Sequence, residues 1–433
     1  MSALLLASDL WNADGLWIIT IGALTNAACA LVGCFLILRR MSMMGDALSH
    51  SVLAGLAVAF AFTQSYSIIP LFIGAVAAGL LTTFLTQTLH QYARVPSDAS
   101  MGVVFTSMFA VGVVIIKMFV SDGVHFDAAC VYEGALGYSP FFTREVFGWE
   151  IPLAALTVGP IAILNLVVIV ALWKEWKLSS FDPALATTMG FSATLLHYLL
   201  MTLVALTTVA SFEAVGSILV VAMLIVPAAT AHQLTDRLGP MVLVSVVIAV
   251  LSAVFGYIFA VWEDTNYAAM MAVVAGGFYA LSVVFSPRYG LLTTLWKNTQ
   301  LSLRVVKEDL LAMLYRVEEI GTASPLTTTA AREAVGGGWL AYAGIWQLTR
   351  RGRISQANDA LKLTEFGREA AKKLVRSHRL WETYLVEYLG LPLDHIHEPA
   401  HRVEHFIGDE IREKLEEKLD ASQGDPHGRD IPE

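Results

Sequence analysis

Nine stretches of this chain, near 16–38, 47–63, 67–89, 100–120, 151–173, 193–210, 214–231, 240–261 and 268–286, are apolar over lengths close to the ~20 residues an α-helix needs to cross a bilayer. Hydrocarbon offers no water to backbone amides, so apolar runs of this length read as helices that satisfy their own hydrogen bonds. That constraint predicts a multi-pass, all-α membrane protein of about nine spans. Composition agrees: 56% of the residues are hydrophobic and 15% charged. A net charge of −9 argues against a nucleic-acid partner. Cys29, Cys34 and Cys130 form no C-x-x-C pair and read as small apolar residues. The opening MSALLLASDLW has no basic region, so no cleavable signal peptide is expected.

Charge between the runs sets an expected orientation. Arg39, Arg40, Arg94, Lys174, Lys177, Arg237 and Arg288 fall on alternate loops, which the positive-inside rule assigns to the cytoplasm. The opposite loops hold Asp122, Asp127, Glu133, Glu145, Glu150, Glu263 and Asp264, with Lys117 and Arg144 as minority positives. The N-terminus is therefore expected outside and the C-terminal tail in the cytoplasm. Only ASFEAVG separates the sixth and seventh runs, which are consistent with broken or re-entrant helices. Composition changes sharply after Ser286, predicting a membrane domain over 1–290, a linker helix and winged-helix-like domain over 291–364, and a helical metal-binding and dimerisation domain over 365–433 that ends in the polar, frayed GDPHGRDIPE.

Within the membrane half, RRMSMMGDALSHSVLAGLAVAF sets Asp46 and His50 four residues apart on one helix face. A carboxylate beside an imidazole offers O and N ligands to a divalent cation. The alternative is that Asp46 caps the second span while His50 bonds a backbone carbonyl. This segment resembles the signature of the ABC transporter permeases that import manganese, zinc or iron, and so do VYEGALGYS, SSFDPALATTMGF and SFEAVGSILVVAMLIVPAATAHQLTDRL, in the same order. The resemblance implies that Asp46 and His50 line the metal pathway, with Glu213 and His232 as weaker candidates; Glu213 also reads as a solvated or capping carboxylate, and His197 as a satisfied core histidine. It further implies that FDPALATTMG docks on an ATPase, with Asp182, Pro183 and Gly190 shaping a short coupling helix; a plain interhelical turn is the other reading. The chain has no G-x-x-x-x-G-K-[ST] loop, so nucleotide would be bound by a separate ATPase chain. An extracytoplasmic binding protein and a second permease copy or paralogue complete the expected partners, in a bacterial cytoplasmic membrane; the loop bearing Asp122, His125, Asp127 and Glu133 reads equally as the place that receives metal from that protein and as an ordinary solvated loop.

The tail reads as LSLRVVKEDLLAMLYRVEEIG, an amphipathic helix closed by Gly321, then two short helices and a β wing in RISQANDALKLTEFG. A long helix near 365–389 carries His378 and Glu382 at i, i+4, and another starting near Pro399 carries His401, Glu404 and His405 on one face, with His397 just before it. Such a set suits a five- or six-coordinate N/O site for Mn²⁺ or Fe²⁺; histidines on a solvated helix face are the alternative. SHRLWETYLVEYLGLPLDHIHEPAHRVEHFIGDEIREKLEEKL is similar to the dimerisation and metal-binding domain of the diphtheria toxin repressor family. That similarity implies that Glu404, His405 and His401 form one site, that His378, Glu382 and His397 belong to the ligand set, and that Asp309 is the first-helix ligand. The second carboxylate of manganese-responsive members would fall at Ala312, which puts a binuclear manganese site in doubt. His401 and Asp309 stand where iron-responsive members use softer sulfur ligands, which favours manganese over zinc or iron. The stretch at the DNA-reading position, AVGGGWLAYAGIWQLTRRGRI, is largely apolar, so DNA binding is not expected.

The whole therefore reads as the permease subunit of a metal-importing ABC transporter carrying a metal-sensing or assembly domain. A membrane-tethered transcription regulator and a passive cation channel are the competing readings.

Overall fold

The computed structural model describes residues 12–64, 68–119, 134, 136–146, 148–321, 326–357, 359–405, 407–419 and 424–432, without the side chains of residues 68, 213, 217, 218, 402 and 409. The chain divides into two compact units, 1–293 and 294–433.

The first unit begins with four helices: α1 (Ala13–Leu38), α2 (Met44–Thr63), α3 (Ile68–Tyr92) and α4 (Ser97–Phe119). A 3₁₀ turn at Leu136–Phe141 leads into an antiparallel hairpin, β1 (Thr143–Val146) and β2 (Trp149–Pro152), which the apolar pattern did not announce. Then come α5 (Leu153–Ala171), α6 (Trp173–Phe181), α7 (Pro183–Thr188), α8 (Ala193–Leu234), α9 (Leu238–Glu263) and α10 (Tyr267–Phe285). Among the described residues eight helices are long and apolar enough to cross a membrane, and a ninth apolar helix, Leu219–Leu234, is shorter. Gly216, at φ 75 and ψ 165, breaks α8 ahead of that helix, a backbone conformation that a side chain would oppose. The separation expected between the sixth and seventh runs is thus a glycine break within one helical segment.

Polar side chains lock the centre of this unit. Asn26 donates through Nδ2 to the Ala249 carbonyl (3.3 Å), and Asn165 donates to Thr207 Oγ1 (2.7 Å), joining α1 to α9 and α5 to α8. Such bonds hold helices together where lipid tails give no hydrophobic drive. Gly33 lets α1 approach the Leu224 carbonyl so closely that a Cβ there would collide with it. At one end, Phe35 tilts against the fully buried Trp176 (5.4 Å between centroids), and Arg39 reaches Ser179 Oγ at 2.8 Å. Ser286 Oγ donates to the Gln233 carbonyl and Arg288 pairs with Asp236, placing the ends of α8 and α10 side by side.

In the second unit, α11 (Leu291–Ile320) ends at Gly321, at φ 68. It is followed by α12 (Thr328–Ala334), α13 (Gly338–Arg350), a two-stranded wing of β3 (Ile354–Ala357) and β4 (Ala360–Leu363), α14 (Glu365–Glu387), α15 (His397–Glu404) and α16 (Asp409–Lys418). Leu310, Leu311 and Leu314 of α11 meet Ile345, Leu348, Ile354 and Leu363 in one core, the arrangement of a winged helix. Thr364 Oγ1 accepts from the Gly367 amide and caps α14. The end of the chain is not frayed as its composition suggests. Asp425 Oδ1 accepts from the His427 and Arg429 amides, Ile431 is buried against Leu380 and Leu415, and Arg376 donates to the Pro432 carbonyl.

Candidate metal centres and coupling segment

Three helices bring the tail's donors together. Spacing of three or four residues stacks side chains on one helix face. Thus α14 presents His378 and Glu382, α15 with the residue after it presents His397, His401, Glu404 and His405, and α11 contributes Asp309. Two groups result, each with ligand atoms within 4.8 Å of one another: Asp309, His401, Glu404 and His405, and His378, Glu382 and His397.

The carboxylate of Glu404 lies between the two groups. Its Oε1 is 2.6 Å from His401 Nδ1 and 3.7 Å from His405 Nε2, while Oε2 is 2.7 Å from His378 Nδ1. Glu382 Oε1 likewise touches His378 Nε2 (3.0 Å) and His397 Nδ1 (2.6 Å). His378, Glu382, Glu404 and His405 are all buried. Several of these contacts are close without the alignment of a hydrogen bond: His378 Nδ1, Glu382 Oε1, Glu404 Oε2 and His405 Nε2 are buried with no hydrogen-bond partner. Buried polar atoms without partners are costly, and four of them converging in two donor groups fit a divalent cation. The set is imidazole and carboxylate with no thiolate, which suits Mn²⁺, Fe²⁺ or Zn²⁺.

Electrostatics show what stands in for the ion. Burial alone would lower the pKa of His378, but the close carboxylates of Glu382 and Glu404 override it and raise the pKa. His405 behaves the same way: against burial, Asp309 and Glu308 push its pKa up to about 9. Burial tends to raise the pKa of Glu382 and of Glu404, yet His378 and its neighbours keep both below the usual carboxylate range. The shifts of His378 and His405 thus favour the protonated imidazole beside an ionised carboxylate, and a cation taking either ring as ligand would compete with that proton.

Glu308 was not singled out from the sequence. It precedes Asp309 by one residue and accepts from His405 Nδ1 at 2.9 Å, while Asp309 Oδ1 is 3.3 Å from Nε2 of the same ring. A histidine that ligates through one nitrogen commonly gives its other N–H to a carboxylate that orients the ring. Glu308 has that position, and Arg304 Nε holds it in turn at 2.9 Å. Ala312, where a second first-helix carboxylate would fall, lines a cavity of about 170 Å³ beside Asp309, His401 and Glu404. A clue was present: two successive acids, Glu308 and Asp309, interrupt the apolar face of α11.

In the membrane unit Asp46 lies in the first turn of α2, whose N-cap is Met43 with no side-chain cap, so Asp46 is not the capping residue. Its Oδ1 is 3.6 Å from His50 Nε2, and both side chains are more than a third exposed. The His50 ring stacks on Phe105 (5.5 Å) and meets Phe109 edge-on (6.0 Å). The Glu213 side chain and the loop with Asp122, His125, Asp127 and Glu133 lie outside the described residues. His197, expected to be a satisfied core residue, has a buried Nε2 without a hydrogen-bond partner. In the coupling segment Asp182 Oδ1 accepts from the Leu185 amide at 2.9 Å, Pro183 opens α7 where its missing N–H is harmless, and Gly190 closes the turn at φ 90. Phe181, Leu185 and Met189 around it are exposed.

The ABC 3 transport family matches residues 16–130 and 151–286, and the family described as the iron dependent repressor, metal binding and dimerisation domain matches residues 364–433. The manganese transport system membrane protein MntD of Bacillus subtilis is 47% identical over 278 residues, covering 64% of this chain and 94% of that protein. The zinc transport system membrane protein TroD of Treponema pallidum is 37% identical, over 68% of this chain and 78% of that protein. Among solved structures, PsaBC from Streptococcus pneumoniae in complex with Fab aligns with a TM-score of 0.56 and 27% identity, over 68% of this chain and 99% of that one.

Proposed function

Because the chain belongs to the ABC 3 transport family, we propose that it is the permease subunit of an ATP-binding-cassette importer that carries divalent metal cations, manganese in preference to zinc, across the membrane its helices span. The observation that carries this is the match of the first unit to MntD along nearly that protein's whole length, with the G-D-x-x-x-H pair Asp46 and His50 held on one face of α2. Iron, also open from the sequence, has less support among the relatives. Asp46 and His50 bind the ion in transit; Glu213 is retained as a third pathway candidate. The segment 182–190, capped and kinked to expose Phe181, Leu185 and Met189, receives a separate ATPase chain on the cytoplasmic side. An extracytoplasmic binding protein delivers the cation, and a second permease copy or paralogue completes the pathway.

The second unit, on this reading, senses metal in the cytoplasm through Asp309, His378, Glu382, His397, His401, Glu404 and His405. A divalent cation there would be held by these carboxylates and imidazoles and would supply the positive charge that offsets the buried acids. If the occupied unit favours a resting state of the permease, it gives feedback on import, and the effect is no larger than the difference in its affinity for the two states. The test is uptake of labelled Mn²⁺ and Zn²⁺ into cells expressing the chain with its cognate ATPase and binding protein. Uptake should require ATP hydrolysis, and deletion of residues 294–433 should leave uptake intact but remove its decline as cytoplasmic metal rises. Flux with a hydrolysis-dead ATPase would make the chain a passive channel. Sequence-specific DNA binding by the full chain would make it a tethered regulator.

A further inference from the structure

Helix α13 occupies the place where a winged helix reads DNA, yet its outward face is aromatic. Trp339, Tyr342 and Trp346, three and four residues apart, are 65%, 66% and 50% exposed, while Ala341, Gly344, Ile345 and Leu348 fill the core on the opposite side. The face continues into Arg350, whose guanidinium sits 4.3 Å from the Trp346 ring centre. None of the three aromatic residues can form the bidentate base contacts by which helices read a major groove. Trp and Tyr stacked with Arg are instead the residues of a membrane–water interface, where an apolar ring body and a polar tip are both satisfied.

A second feature borders this face. A cavity of about 510 Å³ between α11 and the end of α13 is walled by Arg304, Lys307, Gln347, Arg351 and Arg353. Glu308, the carboxylate in its wall, is already engaged by Arg304 and His405. Arg304, Lys307, Arg351 and Arg353 thus gather around one cavity. The tail as a whole is acidic, so this concentration of positive charge is local. Towards the membrane domain in sequence, α11 also exposes Leu295, Trp296 and Leu301.

We propose that this face of the winged-helix unit seats on the anionic surface of the bilayer that the chain itself spans, with Trp339, Tyr342 and Trp346 in the headgroup layer and Arg351 and Arg353 on lipid phosphates. Charge complementarity selects the occupant, and covalent attachment to a membrane domain keeps the surface at high effective concentration. The inference rests on membrane anchorage alone and is independent of which metal the chain carries.

The test uses the full chain in nanodiscs of phosphatidylcholine, with or without phosphatidylglycerol. A nitroxide is attached at Tyr342→Cys after replacement of Cys29, Cys34 and Cys130 by Ala, and its collisions with lipid-soluble oxygen and with a water-soluble nickel chelate are compared. Oxygen should dominate only in the anionic discs. Arg351→Gln and Arg353→Gln should each weaken this docking about fivefold, the share expected of one basic residue near an anionic surface. As a check on the unlabelled chain, tryptic cleavage after Arg350 and Arg351 should slow in anionic discs and not in neutral ones. A water-like nitroxide in anionic discs overturns the proposal. So does equal shielding in both lipids, which would mean that another protein surface covers the face, or shielding that appears only when duplex DNA is added.

Discussion

Two sets of candidate metal-binding side chains are built from the same residue types and differ in almost everything else. Asp46 and His50 stand 3.6 Å apart, each more than a third exposed, with the imidazole flanked by Phe105 and Phe109. In the tail, His378, Glu382, Glu404 and His405 are buried; His378 meets Glu382 at 3.0 Å and Glu404 at 2.7 Å, and the exposed His397 and His401 meet the same two carboxylates at 2.6 Å. Two donors cannot complete the coordination of a divalent cation, so an ion beside Asp46 keeps water or takes further ligands, and it leaves readily. In the tail, a group of four donors and a group of three can each replace more of an ion's hydration shell. The first arrangement suits passage and the second suits retention.

The comparison breaks most completely at the pathway. Asp46→Asn or His50→Ala should lower uptake of labelled Mn²⁺ by about 100-fold or more, since even outer-shell partners of metal ligands are worth about 10–100-fold. Equilibrium metal binding by the tail should not change. Near-normal uptake in both variants, at equal protein levels, would falsify the assignment of this pair to the pathway.

Next in size is Glu404, the one carboxylate that touches both tail groups. Glu404→Ala should weaken the tail's affinity by about 100-fold and leave His378 facing Glu382 alone. Equilibrium dialysis with Mn²⁺ reads the affinity, and ATP-driven uptake at low cytoplasmic metal should be unaffected. If only one class of site is lost while the other keeps its affinity, Glu404 does not link them.

Glu308→Gln sharpens the same point, because Glu308 orients a ring and need not ligate. An affinity loss of about tenfold is expected, at the low end for an outer-shell partner. Asp309→Asn, which removes a ligand, should cost more. The reverse order would make Glu308 the ligand and Asp309 the orienting residue.

How much of this was readable in advance differs between the two units. Hydropathy located the spans within a few residues because a bilayer imposes one length on every helix. It could not show that Gly216 breaks α8 between the sixth and seventh runs, since a φ of 75 is a property of one residue and not of a pattern. Residue spacing placed His378 with Glu382 and His401 with Glu404, because both pairs lie on single helices. The contact of Glu404 with His378 and the approach of Glu308 to His405 join residues on different helices, which no local periodicity encodes. The docked C-terminus was missed for a similar reason: its polar composition hides a turn built around Asp425 and one buried Ile431.

The smallest effect concerns acid. The hydrogen bond from Arg379, opposed by partial burial, holds the Glu319 carboxyl below its usual range. Its folded pKa lies below the unfolded value near ~4.3, so the pair's contribution is present above that value and is lost as pH falls through the folded pKa. Because a third of the Glu319 side chain is exposed, the contribution is no more than about 1 kcal/mol. Arg379 is nonetheless 3% exposed and also contacts Asp425 and the Asp430 carbonyl, so protonating Glu319 removes one of the anchors that hold the chain end against α14. Hydrogen-exchange protection factors of residues 424–432 in the full chain should therefore fall as pH drops through the folded pKa of Glu319, while those in α1 and α9 stay constant. Glu319→Gln should show the lower protection already at neutral pH and respond less to acid. Protection that falls equally in both units would mean that acid acts on the membrane domain as well, and that the titratable residues of the tail do not set its lability.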